Sequence, residues 1–409
     1  MRNLTIEQKK QFNEIFEKLG NNLDITETQF NIAVHSYNAV GEWLSKDDSI
    51  LAPYSPKILP QGSFMLGTMI KPINKNDDLD IDLVCQLKGK DIGWTQKDVK
   101  NNVGQQLKNN QTYKDLLDEE GRRCWTLLYR EKSNDIKTQY HMDILPCIVD
   151  EKYQLTLKNY FSISEYSDVS SLAIRITDKK DEPCYSTVTD LSYWKKSNPF
   201  GYAKWFFSKT LINATEKSKL FALRDSIEPV PKYSNRKSPL QRIIQILKRH
   251  RDIMFLGNKD KPISIIITTL AAKAYKGEIN IIEGLSNVID GMLFQITEKN
   301  GVKWVENPVN PEENFADKWA EKPQKQTNFY NWISQVKKDV DIIINGINMI
   351  EIQRAFEKPF GKNISTEVFC SYADKIKKCR ESNKLKMETT GILGSLGKTV
   401  RANHNFYGK

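Results

Sequence analysis

The chain has 409 residues, of which 39% are hydrophobic and 27% charged, and its formal net charge is +10. This composition excludes a disordered or collagen-like chain, and the length exceeds that of one average domain. The surplus of Lys and Arg favours an anionic partner. Because no apolar run approaches the roughly 20 residues that a membrane-spanning helix needs, we expect a cytoplasmic protein without membrane partners.

Two helices are predicted at the start of the chain. Thr5 and Gln8 form a capping-box pattern, and Gly20 marks the predicted end of the first helix. Apolar residues at helical spacing predict a second helix over about 30–44. Between about 52 and 165 the pattern changes to short apolar runs separated by Gly, Pro and Asn, which is typical of a mixed sheet.

The second half of the chain returns to helical patterns. Ser238 and Pro239 predict an N-cap and a first-turn proline. A further helix is predicted to begin at Pro262 and to end at Gly277. Residues 298–327 are rich in Pro, Asn and Glu and predict a long ordered loop. The helix after Pro239 is predicted to bury one apolar stripe, namely Leu240, Ile243, Ile244, Leu247 and Met254.

One segment carries most of the basic surplus. Residues 232–261 contain nine Lys or Arg against Asp252 and Asp260, a local surplus of +7. These basic residues interleave with the apolar stripe, so two interpretations stay open. The segment forms either a solvated helix face or a surface that meets phosphates.

The six cysteines are scattered, and none belongs to a Cys-x-x-Cys pair. A chain of this length does not need disulfides, so we predict reduced thiols. His141 and Cys147 have a spacing that zinc ribbons also use, but no second cysteine pair follows. We therefore do not predict a zinc site.

The run from Leu79 to Val84 alternates apolar and acidic residues. On a strand, residues two apart point to the same face, so Asp80 and Asp82 lie side by side. Like charges this close repel each other and raise each other's pKa unless a cation lies between them. Paired carboxylates are ligands that suit Mg²⁺, with water and substrate phosphates completing the shell.

Asp143 supplies a third carboxylate from a later apolar strand, where it is flanked by Met142 and Ile144. An acidic residue is unusual in the middle of an apolar strand. A second metal ion shared with Asp80 and Asp82 would account for it, since paired ions about 3.5–4 Å apart stabilise attacking and leaving oxygens.

Gln61, Gly62 and Ser63 precede the acidic strand. Glycine lets the backbone approach a phosphate closely, and the serine hydroxyl with nearby N–H groups donates to phosphate oxygens. The sequence contains no Gly-x-x-x-x-Gly-Lys-Ser/Thr motif, so a P-loop NTPase is not supported.

A Gly-Ser turn, an Asp-x-Asp strand and a third Asp together are the signature of the DNA polymerase β-like nucleotidyltransferases. The longer sequence around these motifs, in the runs that begin at Gln61 and at Asp80, resembles the bacterial CD-NTases. These are the cyclic GMP-AMP synthase and DncV-like enzymes of anti-phage CBASS systems. Later segments are similar to the same group, so the resemblance covers most of the chain. These segments begin at Asn198, Leu247, Pro262 and Asn310.

The resemblance implies a role for each matching residue. Asp80, Asp82 and Asp143 would be catalytic and would hold two Mg²⁺ ions, with Mn²⁺ as the alternative ion. Lys248 and Ser264 match positions that neutralise the triphosphate. Gln61, Gly62 and Ser63 would bind the donor nucleotide.

The resemblance also implies an α+β fold. A polymerase β-like core with a mixed sheet and flanking helices would be joined to a C-terminal helical lobe of the oligoadenylate synthetase type, with the active site between them. The implied domains are N-terminal helices that pack across both lobes, a catalytic core, a helical domain and a tail. Their ranges are 1–50, 51–212, 213–400 and 401–409.

The implied activity is synthesis of a cyclic dinucleotide, such as cyclic GMP-AMP, from ATP or GTP with release of pyrophosphate. The implied enzyme is a monomer without an obligatory nucleic acid, and its implied partners are an operon-encoded effector and ubiquitin-like machinery that conjugates the C-terminus. Two alternatives stay open: a nucleotidyltransferase with a linear product or a toxin-type reaction, and a non-catalytic nucleic-acid-binding protein that uses residues 232–261.

Overall fold

The structure is a computed structural model that describes most of the chain. The described residues are 4–73, 79–129, 140–151, 154, 173–210, 233–387, 393–394 and 397–400. The predicted tail 401–409 and the predicted domain boundary at 212 lie outside the described residues.

The chain divides into two compact units. The unit that we call the sheet unit comprises Ile25–Arg236 and Glu306–Asn314. The helical unit comprises Met1–Asp24, Lys237–Val305 and Phe315–Lys409. These units divide the predicted 1–50 segment after Asp24, so the two N-terminal helices belong to different units.

Helices occur in both units. In chain order they are α1 (Ile6–Leu23), α2 (Glu27–Leu44), α3 (Gly62–Met65), α4 (Gln96–Lys108), α5 (Gln111–Leu116), α6 (Cys184–Thr187), α7 (Pro199–Thr210), α8 (Pro239–Met254), α9 (Ser264–Ala274), α10 (Ile281–Gly291), α11 (Lys318–Glu321), α12 (Pro323–Ile344), α13 (Met349–Phe360) and α14 (Lys362–Glu381).

The strands are shorter. They are β1 (Lys57–Pro60), β2 (Leu79–Leu87), β3 (Trp125–Leu128), β4 (Tyr140–Val149), β5 (Ile174–Ile176), β6 (Lys195–Ser197), β7 (Thr297–Lys299), β8 (Val302–Trp304), β9 (Glu306–Asn307), β10 (Asn310–Asn314), β11 (Lys386–Met387), β12 (Leu393–Gly394) and β13 (Lys398–Thr399).

A mixed sheet organises the sheet unit. Its strand order is β1-β2-β4-β5-β6, and β3 pairs with β4 beside this path. The β2–β4 pair is parallel, whereas β1–β2, β3–β4, β4–β5 and β5–β6 are antiparallel. The three strands predicted from apolar runs near residues 79, 124 and 140 are confirmed, and the predicted α+β fold class is confirmed with them.

One face of this sheet is buried by α2 and α4. Apolar side chains of β2 and β4 alternate inward, and helical spacing brings one stripe of each helix onto them. The shared core therefore fixes which face of β2 and β4 is left for polar side chains. Core members are Tyr37, Val40, Ile81, Leu83, Val99, Val103, Met142 and Ile144.

The predicted start of α1 is confirmed, and its predicted end is wrong. The hydroxyl of Thr5 accepts from the Gln8 N–H, and the Gln8 side chain accepts from the Thr5 N–H. The helix continues through Gly20 to Leu23. A Cβ built on Gly20 would lie 2.5 Å from Arg242 Cδ, so this glycine allows a close approach of Arg242 rather than a helix end.

Two further predictions need correction. The capping box of Ser238 and Gln241 confirms the start of α8, but Met254 is 41% exposed and does not belong to the buried stripe. Residues 298–327 do not form a loop, because they contain β8, β9, β10 and α11 and the beginning of α12. Short hairpins rich in Asn, Glu and Pro have the composition of a loop, which explains the error.

The basic residues of α8 are buried, so the interpretation as a solvated helix face is wrong for them. Arg242 pairs with Glu17 at 3.2 Å and with Asp24 at 2.7 Å. Arg236 and Lys261, which flank the helix, are exposed. Burial of a charge is tolerated when it is paired and hydrogen-bonded. The buried basic residues of α8 are Arg242, Lys248, Arg249 and Arg251.

All six cysteines are free thiols, as predicted. Within the part of the chain that the structure describes, no helix combines the length and the apolar composition needed to cross a bilayer.

Candidate active site

The acidic residues of β2 lie on the polar face of the sheet. Leu79, Ile81 and Leu83 are buried, whereas the Asp80 side chain is 62% exposed and Asp82 is half-buried. The alternation along the strand therefore places both carboxylates on one face, as predicted.

The parallel pairing of β2 with β4 brings the third carboxylate beside them. Asp80 is the register partner of His141, and Asp82 is the register partner of Asp143. Registered residues on neighbouring strands point to the same face, so all four side chains share the polar face. Residues some sixty positions apart in sequence thus become neighbours.

Three of these side chains form a compact donor group. The ligand atoms of Asp80, His141 and Asp143 all lie within 4.8 Å of one another. His141 Nε2 is 3.1 Å from Asp80 Oδ1. Two carboxylates and an imidazole are donors that hold a divalent ion, so the described residues fit such a group.

The environment of Asp143 favours its protonated form. Burial and the negative charge of Asp80 raise the pKa of the Asp143 carboxyl, although the Thr126 hydrogen bond and His141 act in the opposite direction. The Thr126 hydroxyl donates to Asp143 Oδ1 at 2.6 Å from the neighbouring strand β3. A bound cation would compensate the repulsion between the carboxylates and so allow them to be ionised together.

Asp82 lies against the Gly62 turn. The Gln61 N–H donates to the Asp82 carbonyl at 2.9 Å, which ties the turn to β2. Gly62 has a φ of +59°, and a Cβ at this position would lie 2.5 Å from Asp82 Oδ2. Glycine is therefore required twice, by the backbone conformation and by the carboxylate beside it.

An aromatic stack supports this turn. Phe64 follows Ser63 and lies parallel to Phe30 of α2, with 4.9 Å between the ring centroids. Tyr37, one further α2 residue, meets Phe64 edge-on at 6.3 Å. The Ser63 carbonyl accepts from the Thr68 N–H at 3.0 Å. Core packing and backbone bonds together fix the position of Ser63 beside β2.

The helical unit contains the other two predicted nucleotide-binding residues. Lys248 is 4% exposed on α8, and Ser264 is the first residue of α9. Arg251 lies three residues after Lys248 and therefore on the same side of the helix. It donates from Nη1 to Ser264 Oγ at 2.8 Å and to the Pro262 carbonyl at 3.1 Å. Arg251 thus ties Ser264 to α8, on the side of the helix that carries Lys248.

The sequence interpretation missed His141, Thr126 and Arg251. A signal for His141 existed, because it lies two residues before Asp143 and thus shares its strand face. Thr126 could be found only from the pairing of β3 with β4. Arg251 could be found only from the packing of α8 beside α9.

Comparison with known proteins identifies a matching family over the first part of the chain. The Second Messenger Oligonucleotide or Dinucleotide Synthetase domain matches residues 11–167, a range that contains β2, β4 and the Gly62 turn.

Two curated proteins are similar over most of their length. A protein of Roseivirga ehrenbergii named c-di-GMP synthase is 28% identical over 393 residues, which cover 95% of this chain and 94% of that protein. The cyclic dinucleotide synthase CdnG of Bradyrhizobium diazoefficiens is 21% identical and covers 82% of this chain and 76% of its own length. The similarity therefore includes both units.

A solved structure has the same fold. The structure of the Bradyrhizobium diazoefficiens CD-NTase CdnG in complex with GTP has a TM-score of 0.61 to this chain at 17% identity. The match covers 89% of this chain and 99% of that one.

Proposed function

We propose, from the premise that this chain belongs to the bacterial CD-NTases and is a nucleotidyltransferase, that it joins two nucleoside triphosphates into a cyclic dinucleotide. The observation that carries the proposal is the parallel β2–β4 register, which places Asp82 beside Asp143 and Asp80 beside His141. The Roseivirga relative, similar along 95% of this chain, is named c-di-GMP synthase, which makes GTP the first substrate to test.

The proposed metal ligands are Asp80, Asp82 and Asp143. Two Mg²⁺ ions bound there would compensate the charge that develops on the α-phosphate and would acidify the attacking hydroxyl. The support for this assignment is the polar face that the three carboxylates share and the short separation of the Asp80 and Asp143 ligand atoms, which lie within 4.8 Å of each other.

The proposed reaction consists of two equivalent transfers. In each, a ribose hydroxyl oxygen forms a bond to an α-phosphorus, and the bond from that phosphorus to the β-phosphate oxygen breaks. Pyrophosphate leaves with the electron pair of the broken bond. Asp143 is the proposed acceptor of the hydroxyl proton, because it lies beside Asp82 on the polar face where the attacking hydroxyl would be aligned. Two triphosphates give one cyclic product and two pyrophosphates.

The remaining predicted residues are proposed to hold the nucleotides. The Ser63 hydroxyl donates a hydrogen bond to a phosphate of the donor nucleotide. Gly62 and Gln61 keep the turn close to Asp82. Lys248 neutralises the triphosphate, and Ser264 donates to it from a position that Arg251 fixes. Arg251 is therefore a positioning residue in this proposal.

The product is proposed to act as a second messenger in anti-phage defence, detected by an effector encoded in the same operon. The enzyme is proposed to work as a monomer and without bound nucleic acid. Conjugation of the C-terminus by ubiquitin-like machinery stays a prediction, since residues 401–409 lie outside the described residues.

The test is product analysis with purified protein. The chain is incubated with Mg²⁺ and α-³²P-labelled GTP in three mixtures: GTP alone, GTP with ATP, and all four triphosphates. The products are treated with phosphatase, and their masses are measured by mass spectrometry. We expect a phosphatase-resistant species with the mass of a cyclic dinucleotide. A ladder of linear products would contradict the proposed cyclisation.

A double variant and a matched control test the site. Asp80→Asn with Asp82→Asn should abolish product formation. Asp47→Asn with Asp48→Asn removes the same charge from two exposed residues and should leave the rate unchanged. Unaltered turnover in the first double variant would contradict the catalytic assignment.

A further inference from the structure

His141 belongs to the donor group of the site, and the proposed reaction assigns it no role. Its Nε2 lies 3.1 Å from Asp80 Oδ1, and both lie within 4.8 Å of the Asp143 carboxylate. The His141 side chain is 29% exposed, so part of it reaches solvent.

We propose that His141 Nε2 binds directly to a divalent ion held by Asp80 and Asp143. This inference rests on the proposed function, because it concerns the same metal site. The resulting site has mixed nitrogen and oxygen ligands and binds Mn²⁺ more tightly, relative to Mg²⁺, than carboxylates alone would.

The separation of the donor atoms agrees with coordination. Two neighbouring ligands of an octahedral ion, each about 2.1 Å from it, lie about 3.0 Å apart. The 3.1 Å between His141 Nε2 and Asp80 Oδ1 matches this value. The Asp143 ligand atom lies within 4.8 Å of both of these atoms, so its side chain would have to rotate toward the ion to complete the group.

The strands fix this arrangement. His141 is opposite Asp80 on the adjacent parallel strand, and it precedes Asp143 by two residues on its own strand. All three donors therefore come from hydrogen-bonded strands in the middle of a sheet, and no loop has to close. Rigid elements place metal ligands more accurately than loops do.

The ligand type determines the preference among ions. Mg²⁺ takes hard oxygen ligands and gives up its water reluctantly, whereas imidazole nitrogen suits first-row transition ions. A neutral imidazole also adds a ligand without adding another negative charge to a site where the carboxylates already repel each other.

A hydrogen bond would give the same 3.1 Å, and His141 would then only orient Asp80. His141→Gln separates the two roles, because the glutamine amide keeps an N–H donor near the position of Nε2 and removes the imidazole nitrogen. His35→Gln is the matched control, since His35 is exposed on α2.

The experiment is pulsed electron paramagnetic resonance of Mn²⁺ bound to the full chain, prepared with natural and with ¹⁵N-labelled histidine. We expect modulation from a directly bound histidine nitrogen, which changes with the label and disappears in His141→Gln but not in His35→Gln. The Kd for Mn²⁺ should rise by at least about tenfold in His141→Gln, and the Kd for Mg²⁺ should change much less.

Bound Mn²⁺ without histidine modulation in the unaltered chain would overturn the inference, and this result does not depend on whether His141→Gln folds. Histidine-bound Mn²⁺ in a protein that makes no cyclic dinucleotide would support the metal ligand and contradict the proposed function. The two proposals therefore fail separately.

Discussion

The β2–β4 face of the sheet unit and helix α8 of the helical unit both concentrate charge, and they do so in opposite ways. On the sheet, Asp80, Asp82 and Asp143 are like charges on adjacent positions. On α8, Arg242 is fully buried and meets the opposite charges of Glu17 and Asp24. The first arrangement costs free energy until a cation binds, and the second holds the fold together.

This difference separates chemistry from stability. Replacing an acid of the sheet face should remove activity with little loss of stability, whereas replacing a paired charge of α8 should lower stability. Substitutions in the two regions therefore test this contrast.

The largest effect is expected at Asp143. Asp143→Asn keeps a partner for the Thr126 hydroxyl but removes the proposed proton acceptor, so product formation should fall by about 10²–10⁴-fold. Thermal unfolding should occur at the same temperature or higher, because one of the repelling charges is gone. A large loss of stability at unchanged activity per folded molecule would show that Asp143 has a structural role instead.

Arg242→Met tests the paired charges of α8. The substitution leaves the buried Asp24 carboxylate without its Arg242 partner, although the Lys237 ammonium is also 3.1 Å from Asp24 Oδ1. Urea unfolding should show a loss of about 3 kcal/mol. Combining it with Asp24→Asn should recover part of this loss, and strictly additive losses would argue against the ion pair as the stabilising interaction.

The two units offer a matched pair of glycines. Gly62 and Gly257 both have positive φ, but only Gly62 has a carboxylate where a Cβ would lie. Alanine at either position should cost about 1–2 kcal/mol of stability. Only Gly62→Ala should also lower the rate, by about 10²-fold, because it displaces Asp82. Equal activities of the two variants would contradict the proposed role of the turn.

A pH dependence is expected at Asp178, a paired charge of the sheet unit that resembles Arg242 of α8. Burial alone would raise the pKa of the Asp178 carboxyl. Hydrogen bonds from Arg122 and Arg123 outweigh burial and hold this pKa well below its usual range. A lowered folded pKa gives stabilisation that is complete above the unfolded value of about 3.9 and is lost as pH falls through the folded pKa.

Asp178→Asn should therefore be less stable than the unaltered chain by about 2 kcal/mol near neutral pH. The gap in Tm should narrow as the pH is lowered from about 6 to about 3. A gap that stays constant over this range would show that the carboxylate charge is not the source of the stabilisation.

Local patterns were sufficient to predict the strands and the helix starts. Alternation placed Asp80 and Asp82 on one face, and the capping boxes at Thr5 and Ser238 set the beginning of α1 and α8. These features depend on residues at most about four positions apart, where side-chain direction and hydrogen bonding are decided locally.

Features that depend on distant residues were not predictable. The charge run at 232–261 gave no indication that Arg242 is paired, because Glu17 and Asp24 lie more than 200 positions away in sequence. A glycine at position 20 is typical of a helix end, but its actual role depends on the close approach of Arg242. The same holds for Thr126, whose contact with Asp143 depends on the pairing of β3 with β4.

The most direct test of the metal-dependent site is anomalous diffraction at the manganese edge, from crystals grown with Mn²⁺ and a nonhydrolysable GTP analogue. We expect anomalous peaks within about 2.2 Å of carboxylate oxygens of Asp80 and Asp143, with the analogue's phosphates beside them. Clear density for the analogue with no anomalous peak near these carboxylates would contradict the claim that the β2–β4 face is a metal-dependent active site.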